Sequence, residues 1–175
     1  MAEVTYVVDK DVTDRAEAAA VCDAVLDAVK SRLVFATVDA YSDYDDEMTP
    51  AAREAQRKLF AMGKEQGLRD PGMGVNLDLR DPTAWAVLRA FAPWSINVDL
   101  GDAASNNFAT FHDCGYSVVV DLSDEDASAI RSRLSPIAPV LPLGVVHARR
   151  RGERRASRQE AFRRVRSRLH GLLRR

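Results

Sequence analysis

The stretch that decides the fold is Trp94-Ser-Ile-Asn-Val-Asp-Leu100 followed by Phe108-Ala-Thr-Phe-His-Asp-Cys-Gly-Tyr-Ser-Val-Val-Val-Asp-Leu122. Ile96, Val98 and Leu100 alternate with Asn97 and Asp99, the period-two pattern of a strand with one buried and one polar face. Gly101 to Asn107 is a turn-forming cluster that joins two antiparallel neighbours, and His112 to Gly115 is a turn or bulge that splits the second run. Ser123-Asp124-Glu125-Asp126 then starts a helix with a capping residue and acids at the positive end of its dipole. Ala127, Ile130 and Leu134 form its buried side, and it stops before Pro136.

Upstream, Val4 to Val8 is an apolar strand. Thr13 or Asp14 caps a helix to about Ser31, on which Ala18, Cys22, Val25, Leu26 and Val29 recur at helical spacing. Leu33 to Val38 is a second strand, and Thr49-Pro50 is a cap followed by proline at the first helical position. Gly67 terminates that helix, Val75 to Leu79 is a strand, and Asp81-Pro82 opens a short helix that stops before Pro93. Val75-Asn76-Leu77-Asp78-Leu79 and Ile96-Asn97-Val98-Asp99-Leu100 match in pattern and belong in one sheet with like-sided faces. Val140 to Val146, with prolines at 139 and 142, reads as an edge strand, because proline cannot donate to a ladder.

The order is therefore βαβαβαβββαβ. The expectation is an α/β or α+β fold: a mixed sheet of six or seven strands covered by helices, with a basic amphipathic helix at the C-terminus. No apolar run approaches the length that spans a bilayer, and the first residues carry no secretory pattern, so the expected address is cytoplasmic. Two cysteines, Cys22 and Cys114, are too few for a disulfide framework and are read as reduced.

The net charge of −1 hides a division along the chain. Residues 1–143 carry 13 Lys/Arg against 24 Asp/Glu, or −11, while residues 144–175 carry 12 Arg against 2 Glu, or +10. The expected division is thus an acidic body, 1–147, and an arginine-rich tail, 148–175. In the tail Ser157 and Glu160 form a capping box. Phe162, Val165, Leu169, Leu172 and Leu173 then share one stripe, with Arg163, Arg164 and Arg166 beside it. Together with Arg149, Arg150, Arg151, Arg154, Arg155 and Arg158, these are the expected partner-binding residues. Arginine's planar fork takes carboxylate or phosphate bidentately, so an acidic protein groove, this body included, nucleic-acid backbone and an anionic membrane surface all fit the tail.

Three constellations are candidates for chemistry in the body. Asp9-Lys10-Asp11-Val12-Thr13 after an apolar strand resembles the DxDxT signature of the haloacid-dehalogenase-type phosphatases. Gly101-Asp102 to Asn106 is similar to that family's later GDxxxD element, with Asn106 where the family has its last acid. The resemblance implies magnesium as cofactor, Asp9 as nucleophile, Asp11 as general acid/base and Asp102 as a metal-holding carboxylate, with Thr37 for the hydroxyl and Lys58 or Lys64 for the lysine. Read from the residues alone, these positions are turn and cap residues. Asp43, Asp45, Asp46 and Glu47 form an acidic loop that lacks the central glycine and final glutamate of a calcium loop, and so reads as solvated; Tyr41 and Tyr44 within it could anchor a basic partner. His112, Asp113 and Cys114 read as a structural hairpin, since successive strand residues face opposite ways.

With no complete catalytic set and no metal site, the leading expectation is a non-enzymatic interaction protein without a cofactor. Its acidic body binds a protein partner and its arginine helix docks on an acidic protein surface or nucleic acid. A small-molecule substrate is not expected. The alternatives are a magnesium-dependent phosphohydrolase and a nucleic-acid-binding protein that acts through the tail alone.

Overall fold

The computed structural model describes residues 4–8 and 14–155. Strands β1 (Val4–Val8), β2 (Phe35–Val38), β3 (Val75–Asp78), β4 (Asn97–Gly101), β5 (Asn107–His112), β6 (Ser117–Leu122) and β7 (Val140–Pro142) form one sheet in the order β3-β2-β4-β5-β6-β1-β7. Helices α1 (Arg15–Val29), α2 (Pro50–Glu65), α3 (Pro82–Phe91) and α4 (Asp124–Leu134) connect them in the expected order. The helix starts follow the capping chemistry. The side chains of Asp14, Thr49, Asp81 and Ser123 accept from the backbone N–H of Ala16, Ala52, Thr83 and Asp126, each satisfying a donor that has no helical partner.

Two expectations need correction. The sheet is antiparallel at every pairing rather than mixed. Alternation of strands and helices fixes neither the direction nor the neighbours of successive strands: β2 and β3, joined by α2, pair antiparallel. β3 and β4 run the same way but flank β2, and β6 and β7 run the same way but flank β1. An antiparallel strand separates the members of both these pairs, and three strands lie between β1 and β2, which α1 joins. The second correction concerns Val140 to Val146: the strand stops at Pro142 and residues 143–155 are helical (α5). Pro142 has no N–H to extend the ladder, and from there the buried position is Val146, 2% exposed, inside a helix. That helix runs through positions 147 and 148.

The core lies on one side of the sheet. Ala36, Val38, Val75, Leu77, Val98, Leu100, Phe111, Val118 and Val120 belong to one cluster with Leu26, Leu59, Leu88 and Ile130 from α1 to α4. Burying such a face is the main favourable term for folding, at roughly 25 cal/mol per Å² of apolar surface. Of the alternate residues on the same strands, Thr37, Asp99, Thr110, Val119, Asp121, Thr5 and Val7 are only half-buried, while Gly101 and Phe108 are buried. Antiparallel sheets tolerate such a solvated face, because their connections need not put helices on both sides.

Candidate binding face

Cross-strand register lines up one residue per strand along the open side. Asn76, Thr37, Asp99, Thr110, Val119, Val7 and Leu141 are successive partners across the seven strands. At about 4.8 Å per strand the row spans roughly 29 Å. Its β1–β6–β7 end is apolar, through Val7, Val119 and Leu141. Its other end is polar and acidic.

The polar groups are paired within the sheet. Thr110 donates to Asp99 Oδ1 at 2.9 Å, Asn97 Nδ2 to Asp99 Oδ2 at 3.2 Å, Thr5 to Asp121 Oδ1 at 2.6 Å and Thr37 to Asn76 Oδ1 at 3.1 Å. These donors orient both carboxylates: Asp121 lies beside the Val7–Val119 strip on the same strand as Val119, and Asp99 lies two strands from Val119, beyond Thr110 on β5. Two cations lie near. Arg80 is held by Asp78 through two side-chain hydrogen bonds of 2.8 and 2.6 Å, which pull the Asp78 carboxyl down to about 2. Arg32 Nη1 donates to the Asp121 carbonyl at 3.1 Å and its guanidinium sits over the Phe108 ring, 3.9 Å from the centroid.

Two devices shape the face. The Phe35 ring covers Gly101 on the neighbouring strand, so closely that a Cβ there would meet Phe35 Cζ at 2.0 Å. Along the edge strand β3, the Gln66 side chain takes the place of a further strand: its Nε2 donates to Asn76 O at 2.7 Å and its Oε1 accepts from Asn76 N at 3.0 Å. The edge is thereby blunted against pairing with another chain. Between them lies an open recess of about 540 Å³ lined in part by Phe35, Gln66, Leu68, Asn76, Asp78 and Arg80.

The other candidate residues are placed as follows. Asp9 and Asp11 lie outside the described residues. Asp102 accepts from Ala104 N at 2.9 Å and Asn106 N at 3.1 Å, holding its own hairpin, and the Asn106 N–H above all lowers its pKa. Thr37 lies on the open face, while Lys58 and Lys64 are on α2. In the acidic loop Asp45 accepts from Gln56 Nε2 at 3.3 Å, Asp46 offers its carbonyl to Arg53, and Asp43 and Glu47 are exposed. Tyr41 donates to Asp70 and meets Phe60 edge-on, so its ring is already engaged in the body. Among the described residues, no three His, Cys, Asp or Glu side chains are grouped to hold a metal ion. Of the arginines, Arg149, Arg150, Arg151, Arg154 and Arg155 are exposed on α5, and Arg149 pairs with Glu153 at 3.6 Å. Arg158, Phe162, Arg163, Arg164, Val165, Arg166 and Leu169 lie outside the described residues.

His112 and Cys114 part company: His112 is exposed and Cys114 is fully buried. Asp113, Cys114 and Gly115 all have left-handed backbone, φ 51°, 57° and 80°, which ends the strand alternation at His112. A cluster the sequence pattern does not display holds this turn. Arg15 Nη1 donates to Cys114 O at 2.7 Å and Nη2 to Pro93 O, while the guanidinium lies 4.9, 4.5 and 5.2 Å from the ring centroids of Tyr44, Trp94 and Tyr116. The aromatic groove is filled by the protein's own arginine.

No family model, curated protein or solved structure matches this chain. No helix among the described residues is long and apolar enough to cross a membrane.

Proposed function

We propose that this chain is a non-enzymatic interaction protein whose acidic body takes a basic, amphipathic segment of a protein partner on the open side of its sheet. The observation that carries the reading is the strip of Val7, Val119 and Leu141 with the oriented carboxylate of Asp121 beside it and that of Asp99 two strands from Val119, beyond Thr110. Apolar contact supplies affinity and carboxylate charge supplies selection for cations. Calorimetric titration of the full chain with a 20-residue arginine–leucine amphipathic peptide tests it. Asp99→Asn with Asp121→Asn keeps an acceptor for Thr110 and Thr5 while removing both charges. At about 0.5–1 kcal/mol per partly exposed pair, the double variant weakens binding roughly tenfold. Absent binding, or binding that ignores the substitutions, contradicts the reading.

A second reading is favoured by the exposure of Arg151, Arg154 and Arg155 on α5: attachment to nucleic acid through the basic segment. Contact with phosphates releases counterions, so log K against log salt steepens by about 0.9 per contact. Replacing these three arginines by glutamine is expected to make the slope for duplex DNA shallower by about 3, and salt-independent binding rules the reading out.

A further inference from the structure

We propose that the outer edge of β3 takes an extended segment of a partner protein as a further strand of the sheet, and that the Gln66 side chain is a plug which the incoming strand displaces. This surface is distinct from the open face invoked above and does not depend on it.

β3 is the end strand of the sheet, next to β2. Leu79 N donates to Val34 O at 2.8 Å, and in an antiparallel ladder every second residue bonds the neighbouring strand. Val75 and Leu77 therefore turn their backbone groups toward β2, while Asn76 and Asp78 turn theirs outward. Asp78 O is taken by Asp81 N at 3.1 Å. Both backbone groups of Asn76 are taken by one side chain, through Gln66 Nε2 to Asn76 O at 2.7 Å and Asn76 N to Gln66 Oε1 at 3.0 Å. A primary amide that gives a donor and an acceptor to the same residue reproduces the two bonds a residue of an antiparallel neighbour makes. Gln66 is the exposed C-cap residue of α2, so its side chain leaves the edge by turning about its own bonds.

Two recesses flank the plug, one on each side of the sheet, and Gln66, Asn76, Leu77 and Asp78 line both. The recess on the open side, about 540 Å³, adds half-buried Val34, Phe35 and Leu68 with Arg80. The recess on the helix side, about 260 Å³, adds Met62 of α2, Ala84 of α3 and two acidic residues, Glu65 and Asp81. Successive side chains of a strand point to opposite faces. A residue set opposite Asn76 thus points toward Phe35 and Leu68, and the residues on either side of it point toward Met62, Glu65 and Asp81. Asp78 already neutralises Arg80, so the first recess suits an apolar side chain. The second suits lysine or arginine, whose stem lies on apolar surface while its charge meets a carboxylate. Strand addition at a sheet edge works in this way: main-chain bonds give affinity and alternate pockets choose side chains. The occupant is a basic-apolar-basic stretch in extended form.

The test titrates the isotope-labelled full chain with the capped peptide Ser-Thr-Lys-Val-Lys-Thr-Ser and with the same peptide N-methylated at its valine. The Asn76 amide and the Gln66 side-chain amide are expected to shift together, the latter toward the position of a free glutamine. N-methylation, which removes the donor to Asn76 O, weakens binding roughly tenfold, and Gln66→Ala tightens it roughly threefold because the competing amide is gone. Glu65→Gln with Asp81→Asn weakens it roughly threefold, and asparagine keeps the acceptor that caps Thr83 N. Absent binding overturns the proposal. Binding that N-methylation leaves unchanged, or that Gln66→Ala weakens or leaves unchanged, also overturns it. Shifts concentrated at Val7, Val119 and Asp121 assign the peptide to the open face, which overturns the edge proposal and leaves the interaction reading standing. A Gln66→Ala chain that dimerises in sedimentation yet takes no peptide assigns the edge to a second copy and overturns it as well.

Discussion

Arg15 ties together the start of α1, the turn at Pro93 and the left-handed turn after β5, through two carbonyls and three aromatic rings. Removing it leaves two part-buried carbonyls without their donor and three rings without their cation. Arg15→Leu is therefore expected to cost about 3 kcal/mol in urea unfolding, and a cost under about 1 kcal/mol means the cluster is incidental. The same cluster buries both thiols, and burial pushes the Cys22 thiol up. Since the thiolate is the reactive form, neither cysteine is expected to react with an aromatic disulfide reagent until the chain unfolds; rapid reaction of one thiol in native buffer contradicts this. The place of Cys22 on the buried side of α1 was legible beforehand, and the Arg15 contacts were not. Arg15 and Cys114 are 99 positions apart, and a guanidinium among rings from three separate loops follows no period. The reading of His112-Asp113-Cys114 as a hairpin does agree with the structure, but strand alternation could not foresee that left-handed residues would send His112 outward and Cys114 inward.

At the scale of elements, Asp27 on α1 accepts from Arg133 on α4 at 2.6 Å and from Arg89 on α3 at 2.7 Å. The Arg133 and then the Arg89 hydrogen bonds hold its carboxyl below the usual range. A carboxyl depressed on folding adds stability above its ordinary pKa and loses it as pH falls through the folded value. Stability is thus expected to decline below about pH 4, and Asp27→Asn to flatten that acid limb while lowering stability at neutral pH. An unchanged limb removes the brace from the account. Gly101 makes a sharper test of the sheet: its missing Cβ is the space the Phe35 ring fills. Gly101→Ala is expected to cost about 2 kcal/mol by overpacking, falling below about 0.5 kcal/mol in a Phe35→Ala background, as read by paired denaturation curves. Equal costs in both backgrounds contradict the contact. The caps and helices were plain in the sequence because their signals are local: Thr49-Pro50, Asp81-Pro82 and Ser123 act within four residues. Strand neighbours and the end of β7 were not, since pairing depends on which crossover skips which strand, and three apolar residues after Pro142 serve a helix as well as a strand.

For the whole molecule, the division between an acidic body and a basic C-terminal segment was readable by counting. Where the acid matters was not, because most of it sits in loops and caps while the oriented pair, Asp99 and Asp121, stands on a face whose openness only the topology reveals. The row across the side opposite α1 to α4 spans about 29 Å, apolar at Val119, Val7 and Leu141 and polar at Asn76, Thr37, Asp99 and Thr110. The central claim is that this surface is where the protein binds. Its most direct test is an amide chemical-shift map of the full chain titrated with the arginine–leucine amphipathic peptide, repeated for Asp99→Asn with Asp121→Asn. Shifts concentrated at Thr5, Val7, Thr110, Val119 and Asp121, reduced roughly tenfold in affinity by the double substitution, are expected; shifts confined to the helix side, or spread evenly over the acidic loops, contradict the claim.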